Sequence, residues 1–374
     1  MVKNHRNIPL ARPYFPPDTI ESVRKVLDSG WVTQGPMVRE FEEKFAKFIG
    51  CKHAIAVSSG TAALHISLQA LGIEKNDEVI IPDFTFAATG STVLFMGAKP
   101  VLADIDLRTY CIDLEEARRR ITQKTKAMVP VHCFGHPAPM EVVMEIAEEN
   151  DLIVIEDAAP AHGAECNGKK VGNFGGTGCF SFHPRKIIST GEGGMITTSD
   201  DDVAEKARLI RNHGMSSIKY DDDNEFHLPT FELLGYNYRM SDILAAIGVK
   251  QLGILDRAIK ERRRLAGFYN DLISDYGMDI VIPEEHGNVK HVYQSYVILF
   301  GKEKIRTAVL KALRSRGIGC TIGTFSLSNL PIYDGSCPNG TKAFNGTLAL
   351  PMYEGLENED VEYVVECLKE NYQE

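Results

Sequence analysis

No run of apolar residues in the sequence approaches the ~18 that a membrane-spanning helix requires. The eight cysteines, Cys51, Cys111, Cys133, Cys166, Cys179, Cys320, Cys337 and Cys367, form no C-x-x-C pair. Scattered over 374 residues, they exclude zinc-finger spacing and a disulfide framework, and read as reduced thiols. Positive charge is not in excess. The formal net charge is −10, so neither nucleic acid nor an anionic membrane is an expected partner. Met1 to Tyr14 is polar and lacks the apolar core of a secretory signal, so the expected location is cytoplasmic. Internal repeats, low-complexity linkers, the P-loop pattern and an early G-x-G-x-x-G turn are also missing. A phosphate-bearing ligand would therefore need a local nest of donors.

What remains is ordinary globular composition, 44% hydrophobic and 25% charged, with enough chain for two cores. Helical spacing runs through Ile20–Leu27 and stops near Gly30. Phe41, Phe45, Phe48 and Ile49 mark a second amphipathic helix, ended by Gly50. Ala54–Val57 reads as a buried strand, and 61–71 as the helix after it. The alternation recurs with strands at Glu78–Ile81, within 126–132 and at Leu152–Ile155, and a helix at Met140–Glu149. Such alternation implies an α/β layer of mostly parallel strands, with ligands at their carboxyl ends. From Ser241 one long helix is expected to run to near Gly277, bridging a large domain, 1–250, and a smaller one, 251–374. The tail then reads as a strand (293–300), a helix (302–316), an irregular loop (321–346) and a last helix (358–371).

Several residues follow strands directly. Lys186 lies beyond the aromatic stretch Phe180-Ser181-Phe182 and before Gly191-Glu192-Gly193-Gly194. A lysine there is either a solvated surface residue or, if desolvated, an amine able to form an imine with an aldehyde cofactor. Asp157 closes an apolar strand, where a carboxylate needs a partner. It either caps the next turn or meets an arginine, or it pairs with a protonated pyridine nitrogen. Glu156 should point the opposite way. Ser59-Gly60-Thr61 opens a helix and reads either as a plain cap or as a phosphate cradle. Phe86 is either core or a ring that stacks on a flat cofactor. Ser181 could donate a further hydrogen bond to a phosphate, and His183 either contacts substrate or caps its loop. His132 and His136 sit beside Gly135 and Pro137 in a loop, so no metal site is expected. Asp221–Asp223 reads as a solvated loop. Arg118–Arg120 and Arg262–Arg264 read as exposed helix faces.

Taken in order, these segments resemble the DegT/StrS sugar aminotransferases, within the fold-type I pyridoxal phosphate (PLP) enzymes. The likeness also covers Gly30-Trp31-Val32-Thr33-Gln34-Gly35-Pro36, Thr85-Phe86-Ala87-Ala88-Thr89, Gly235-Tyr236-Asn237-Tyr238-Arg239-Met240 and Leu350-Pro351-Met352-Tyr353. The resemblance implies a large domain with a mostly parallel mixed sheet flanked by helices, plus a smaller C-terminal α+β domain. It implies that Lys186 holds PLP as a Schiff base, Asp157 pairs with the ring nitrogen and Phe86 stacks on the ring. Ser59, Gly60, Thr61 and Ser181 would bind the phosphate. Asn237 would reach the phosphate of a neighbouring subunit in a homodimer. His183 and Glu192 are the candidates for substrate contact. Pro160 departs from the family, which usually has Gln or Glu three residues after the aspartate, so that contact is lost or replaced. The loop 324–333 also lacks the histidine pattern of many relatives.

The implied activity moves an amino group from L-glutamate to a keto-sugar, expected to be nucleotide-linked, for polysaccharide biosynthesis. A carbocyclic ketone is an alternative acceptor. Sugar dehydration is a second reaction on the same fold, but the relatives that perform it replace the lysine, and Lys186 is present. A non-catalytic binding protein is the reading of another class.

Overall fold

The computed structural model of the chain describes residues 6–216, 219–220, 226–285 and 287–372; Asp221–Asp223 lies outside the described residues. Seven strands form one sheet. They are β1 (His53–Val57), β2 (Glu78–Pro82), β3 (Lys99–Ala103), β4 (Thr125–Met128), β5 (Ile153–Asp157), β6 (Thr177–Ser181) and β7 (Gly194–Thr198). Their order is β1-β7-β6-β5-β4-β2-β3. The pairs from β6 through β3 are parallel, and β7 runs against both of its neighbours. The expected mostly parallel sheet is therefore present, with one reversed strand.

The helices are α1 (Thr19–Ser29), α2 (Pro36–Ile49), α3 (Gly60–Ala70), α4 (Ala87–Phe95), α5 (Leu114–Arg120), α6 (Met140–Glu149), α7 (Asp201–Arg211), α8 (Asp242–Leu252), α9 (Leu255–Asp275), α10 (Glu303–Ser315), α11 (Pro338–Gly346) and α12 (Asn358–Asn371). Alternation along the strands feeds two cores. Ile55 and Val57 pack with α3 and α7, whereas Ala54 and Ala56 pack with Phe41 and Phe45 of α2. Gly30 and Gly50 take left-handed φ values of 71° and 87° at the ends of α1 and α2, which a side chain would oppose.

A separate core joins α9, α10 and α12 to the strands β8 (Tyr296–Phe300) and β9 (Thr347–Leu350). α9 spans both halves. Its Leu255 and Ile259 belong with α2, and its Leu265, Tyr269 and Ile273 with the C-terminal core. The chain's start belongs there too. Ile8 N–H donates to Gly317 O at 3.0 Å, and Gly319 N–H to Ile8 O at 2.7 Å.

Three expectations need correction. The single long helix from Ser241 is two, α8 and α9, broken at Gly253. Leu252 and Leu255 continue the apolar spacing across the break, so periodicity could not reveal it. The stretch 321–346 is not irregular throughout. Phe325–Ser326 pairs antiparallel with Phe84–Thr85, and α11 starts on Pro338. Its Gly340 disguised the helix; a Cβ there would lie 1.9 Å from Asp83 Oδ2. Finally, Arg262 is not on an exposed face; it is 4% exposed. Three consecutive arginines sweep ~200° around a helix, so one of them turned inward.

Candidate active site

The register brings the singled-out residues to one edge of the sheet. Val57, Gly194 and Ser181 lie in one row across β1, β7 and β6. Asp157 stands opposite Cys179 one strand further on. These are the carboxyl ends of β1, β5 and β6, where open α/β sheets bind ligands.

At the start of α3, Ser59 is extended and its Oγ accepts from Ala62 N–H at 3.1 Å. The cap leaves other N–H groups of the first turn unpaired within the helix. Gly60 faces Ser181 closely: a Cβ on Gly60 would sit 2.8 Å from Ser181 Cβ. A Cβ on Gly194 would sit 2.3 Å from Ser59 O. Ser59, Gly60, Ser181 and Gly194 are thereby packed closely together at the start of α3.

Asp157 is 5% exposed. Thr89 Oγ1 donates to its Oδ2 at 2.8 Å, and Ala159 N–H to its Oδ1 at 3.2 Å. Burial raises its pKa, opposed by those two bonds and by the charges of Lys186 and His132. Glu156 faces the other way, as alternation requires, accepting from the N–H groups of Gly172, Phe174 and Gly175. Its role is to hold that loop.

Lys186 is half-buried. Burial pushes its pKa below the ordinary lysine value; Asp157 and Cys133 oppose that shift, and Arg185 adds to it. The amine is thus biased toward the neutral, nucleophilic form. Its turn is fixed by Lys186 N–H donating to His183 O at 2.8 Å and Arg185 N–H to His183 Nδ1 at 3.2 Å. His183 Nδ1 thus accepts within its own loop. Its ring is exposed, as is Glu192.

Phe86 is not core. It is 64% exposed, while Phe84 is fully buried. A large apolar ring left uncovered at the ligand-binding edge has a free face for a planar group. Asn237 is exposed, on a segment whose Tyr238 O accepts from Ser58 N–H at 2.8 Å. Pro160 is half-buried just beyond Asp157. Among the described residues no group of three metal-ligating side chains occurs, and no helix is long and apolar enough to cross a membrane.

Sequence reasoning gave Thr89 no role. Thr89 has one hydroxyl proton, and it goes to Asp157. The 2.9 Å bond between Thr85 Oγ1 and Thr89 Oγ1 must then be donated by Thr85. A relay of two threonines holds the carboxylate. Thr89→Val removes the donor at near-constant volume. A hydrogen bond to a charged group contributes about 1.5–3 kcal/mol, so kcat is expected to fall roughly 10- to 100-fold. Thr89→Ser should retain most activity. Steady-state kinetics on both variants checks this.

These residues suit a pyridoxal phosphate. An amine biased toward neutrality and a buried carboxylate answer its aldehyde and ring nitrogen, and the first-turn N–H groups at the start of α3 offer donors to its phosphate. Fold and site together define a PLP-dependent aminotransferase. The chain belongs to the DegT/DnrJ/EryC1/StrS aminotransferase family, whose model matches residues 15–369. It is 38% identical over 368 residues to the GDP-perosamine synthase of Caulobacter vibrioides, covering 96% of this chain and 97% of that one. Helicobacter pylori PseC, an aminotransferase involved in the biosynthesis of pseudoaminic acid, matches with a TM-score of 0.90 at 27% identity, covering 98% and 99% of the two chains. DesV of S. venezuelae, solved in complex with a ketimine intermediate, matches with a TM-score of 0.87 at 30% identity, covering 97% and 99%. The protein is a sugar aminotransferase that uses PLP.

Proposed function

We propose that the enzyme transfers the amino group of L-glutamate to a nucleotide-linked keto-sugar. The observation that carries this is the electrostatically coupled pair of Lys186 and Asp157 at the carboxyl edge of the sheet. The nucleotide-linked acceptor is supported by the likeness to a GDP-perosamine synthase. A role in polysaccharide biosynthesis in the cytoplasm follows from that reading.

Lys186 would hold PLP covalently, and Asp157 would keep the proton on its ring nitrogen. Ser59, Gly60, Thr61 and Ser181 would bind its phosphate, and Phe86 would cover its ring. When bound, the cofactor supplies an electron sink that acidifies the donor's α-carbon hydrogen. Lys186 Nζ would hold that proton and hand it on between the donor and acceptor halves of the reaction. Overall, glutamate and the ketone would become 2-oxoglutarate and the amino sugar, amino nitrogen and ketone oxygen being exchanged between them.

Asn237, exposed beside the phosphate corner, is assigned to the site of a second subunit, so the working unit is a homodimer. His183 and Glu192, exposed near the lysine, are assigned to substrate contact. The chain would divide into a large cofactor-binding domain, 1–250, and a small C-terminal domain, 251–374.

The test uses ¹⁵N-labelled L-glutamate with a panel of nucleotide-linked keto-sugars, read by mass spectrometry. Transfer of the label to a sugar ring is expected. Continued 2-oxoglutarate formation without any labelled amino sugar, or amination of carbocyclic ketones alone, would overturn the acceptor class.

A further inference from the structure

The turn carrying Lys186 is also held from the C-terminal half of the chain. Gln294, 8% exposed, donates through Nε2 to Arg185 O at 2.6 Å. Ser295 fixes which end of the amide faces the turn, because its Oγ donates to Gln294 Oε1 at 3.1 Å. The oxygen is thereby spoken for, and the nitrogen points at Arg185. The same peptide unit has its N–H bonded to His183 O at 2.8 Å. Both polar groups of the Arg185–Lys186 peptide are committed, so its plane is set.

Gln294 is itself braced. Arg262 Nη1 donates to the carbonyls of Tyr293, Gln294 and Met352 at 3.2, 3.0 and 3.1 Å. Tyr293 adopts φ +45°, a left-handed conformation that costs a non-glycine residue on the order of 1 kcal/mol. Gly135, at φ +96°, lets the segment pass; a Cβ there would sit 3.0 Å from Gln294 N and 2.8 Å from Val292 Cγ2. Val292 N–H donates to Gly135 O at 3.1 Å. A buried guanidinium, a strained residue and a side-chain-free crossing together present one amide to one carbonyl.

We propose that Gln294 is a positioning residue, whose amide orients the Arg185–Lys186 peptide and so the direction from which Lys186 Nζ approaches cofactor and donor. This rests on Lys186 carrying the cofactor. Neither near-isostere replaces it: methionine offers no donor, and a glutamate carboxylate would set an acceptor against the Arg185 carbonyl.

The holoenzyme tests this with Gln294→Met and Gln294→Glu. Loss of a neutral hydrogen bond that acts on turnover is expected to lower kcat by roughly 3- to 10-fold in Gln294→Met, and further in Gln294→Glu. KM for the amino donor should stay within about 2-fold, because the donor's binding groups are untouched. The visible absorbance of lysine-linked cofactor should titrate with a midpoint moved by about half a pH unit or more, since its proton affinity follows the nitrogen's orientation. Circular dichroism melts control for folding. Wild-type kcat and midpoint in Gln294→Met overturn the inference, as does a loss that tracks a lowered Tm with the midpoint unmoved. If wild-type protein loaded with PLP shows no such lysine-linked band, the assignment of Lys186 fails, and this role falls with it.

Discussion

Lys186→Ala should abolish turnover, lowering kcat by at least about 10³-fold, because covalent attachment and proton transfer are lost in one change. A small primary amine added to the solution should restore part of the activity if the missing group is the proton carrier. The variant also has an electrostatic signature. Lys186 is one of the charges that hold down the raised pKa of Asp157, so removing it lets that pKa climb further. A carboxyl group raised above its ordinary value of 3.8 binds its proton more tightly folded than unfolded. Cofactor-free stability therefore falls as pH rises from that ordinary value to the raised one, then levels off. The fall should be larger in Lys186→Ala than in wild type. Urea titrations of the cofactor-free proteins between pH 4 and 8 check it.

Asp157→Asn separates charge from shape. Burial is the largest influence on Asp157, and it acts against the carboxylate. The neutral amide escapes that cost, so cofactor-free Tm should be unchanged or higher. The amide oxygen can take the Ala159 N–H, and its NH₂ can face Thr89, whose hydroxyl can turn to accept. Function should suffer instead. An amide cannot keep a proton on the cofactor's ring nitrogen, and removing one member of a buried charge pair costs about 3–5 kcal/mol, or roughly 10²- to 10⁴-fold in kcat. Calorimetry without cofactor, cofactor binding and steady-state rates on one preparation distinguish this from damage to the fold. A destabilised cofactor-free protein with normal turnover would contradict the assigned role.

The parts of the site that were legible in the sequence share a cause. Asp157, Ser181 and the Ser59-Gly60-Thr61 turn each close a strand, and strand ends are visible as apolar runs that stop. Met140–Glu149 and Asn358–Asn371 were legible because strong apolar spacing coincides with their ends. The break at Gly253 was hidden because the apolar spacing runs through it. Residues 338–346 looked irregular because the glycine that marks a loop elsewhere here admits Asp83. Thr89 and Gln294 act on partners 68 and 109 residues away, so no local pattern announces them. Arg262 shows the same limit. Its burial depends on carbonyls at Tyr293, Gln294 and Met352, which composition alone does not reveal.

The most direct measurement is chemical. The holoenzyme is reduced with borohydride, digested and mapped by mass spectrometry. A phosphopyridoxyl group fixed on the peptide containing Lys186, and on no other lysine, is the expected result. A stable adduct at a different lysine, or an unmodified Lys186 in protein that has bound the cofactor, would contradict the assignment on which the mechanism stands.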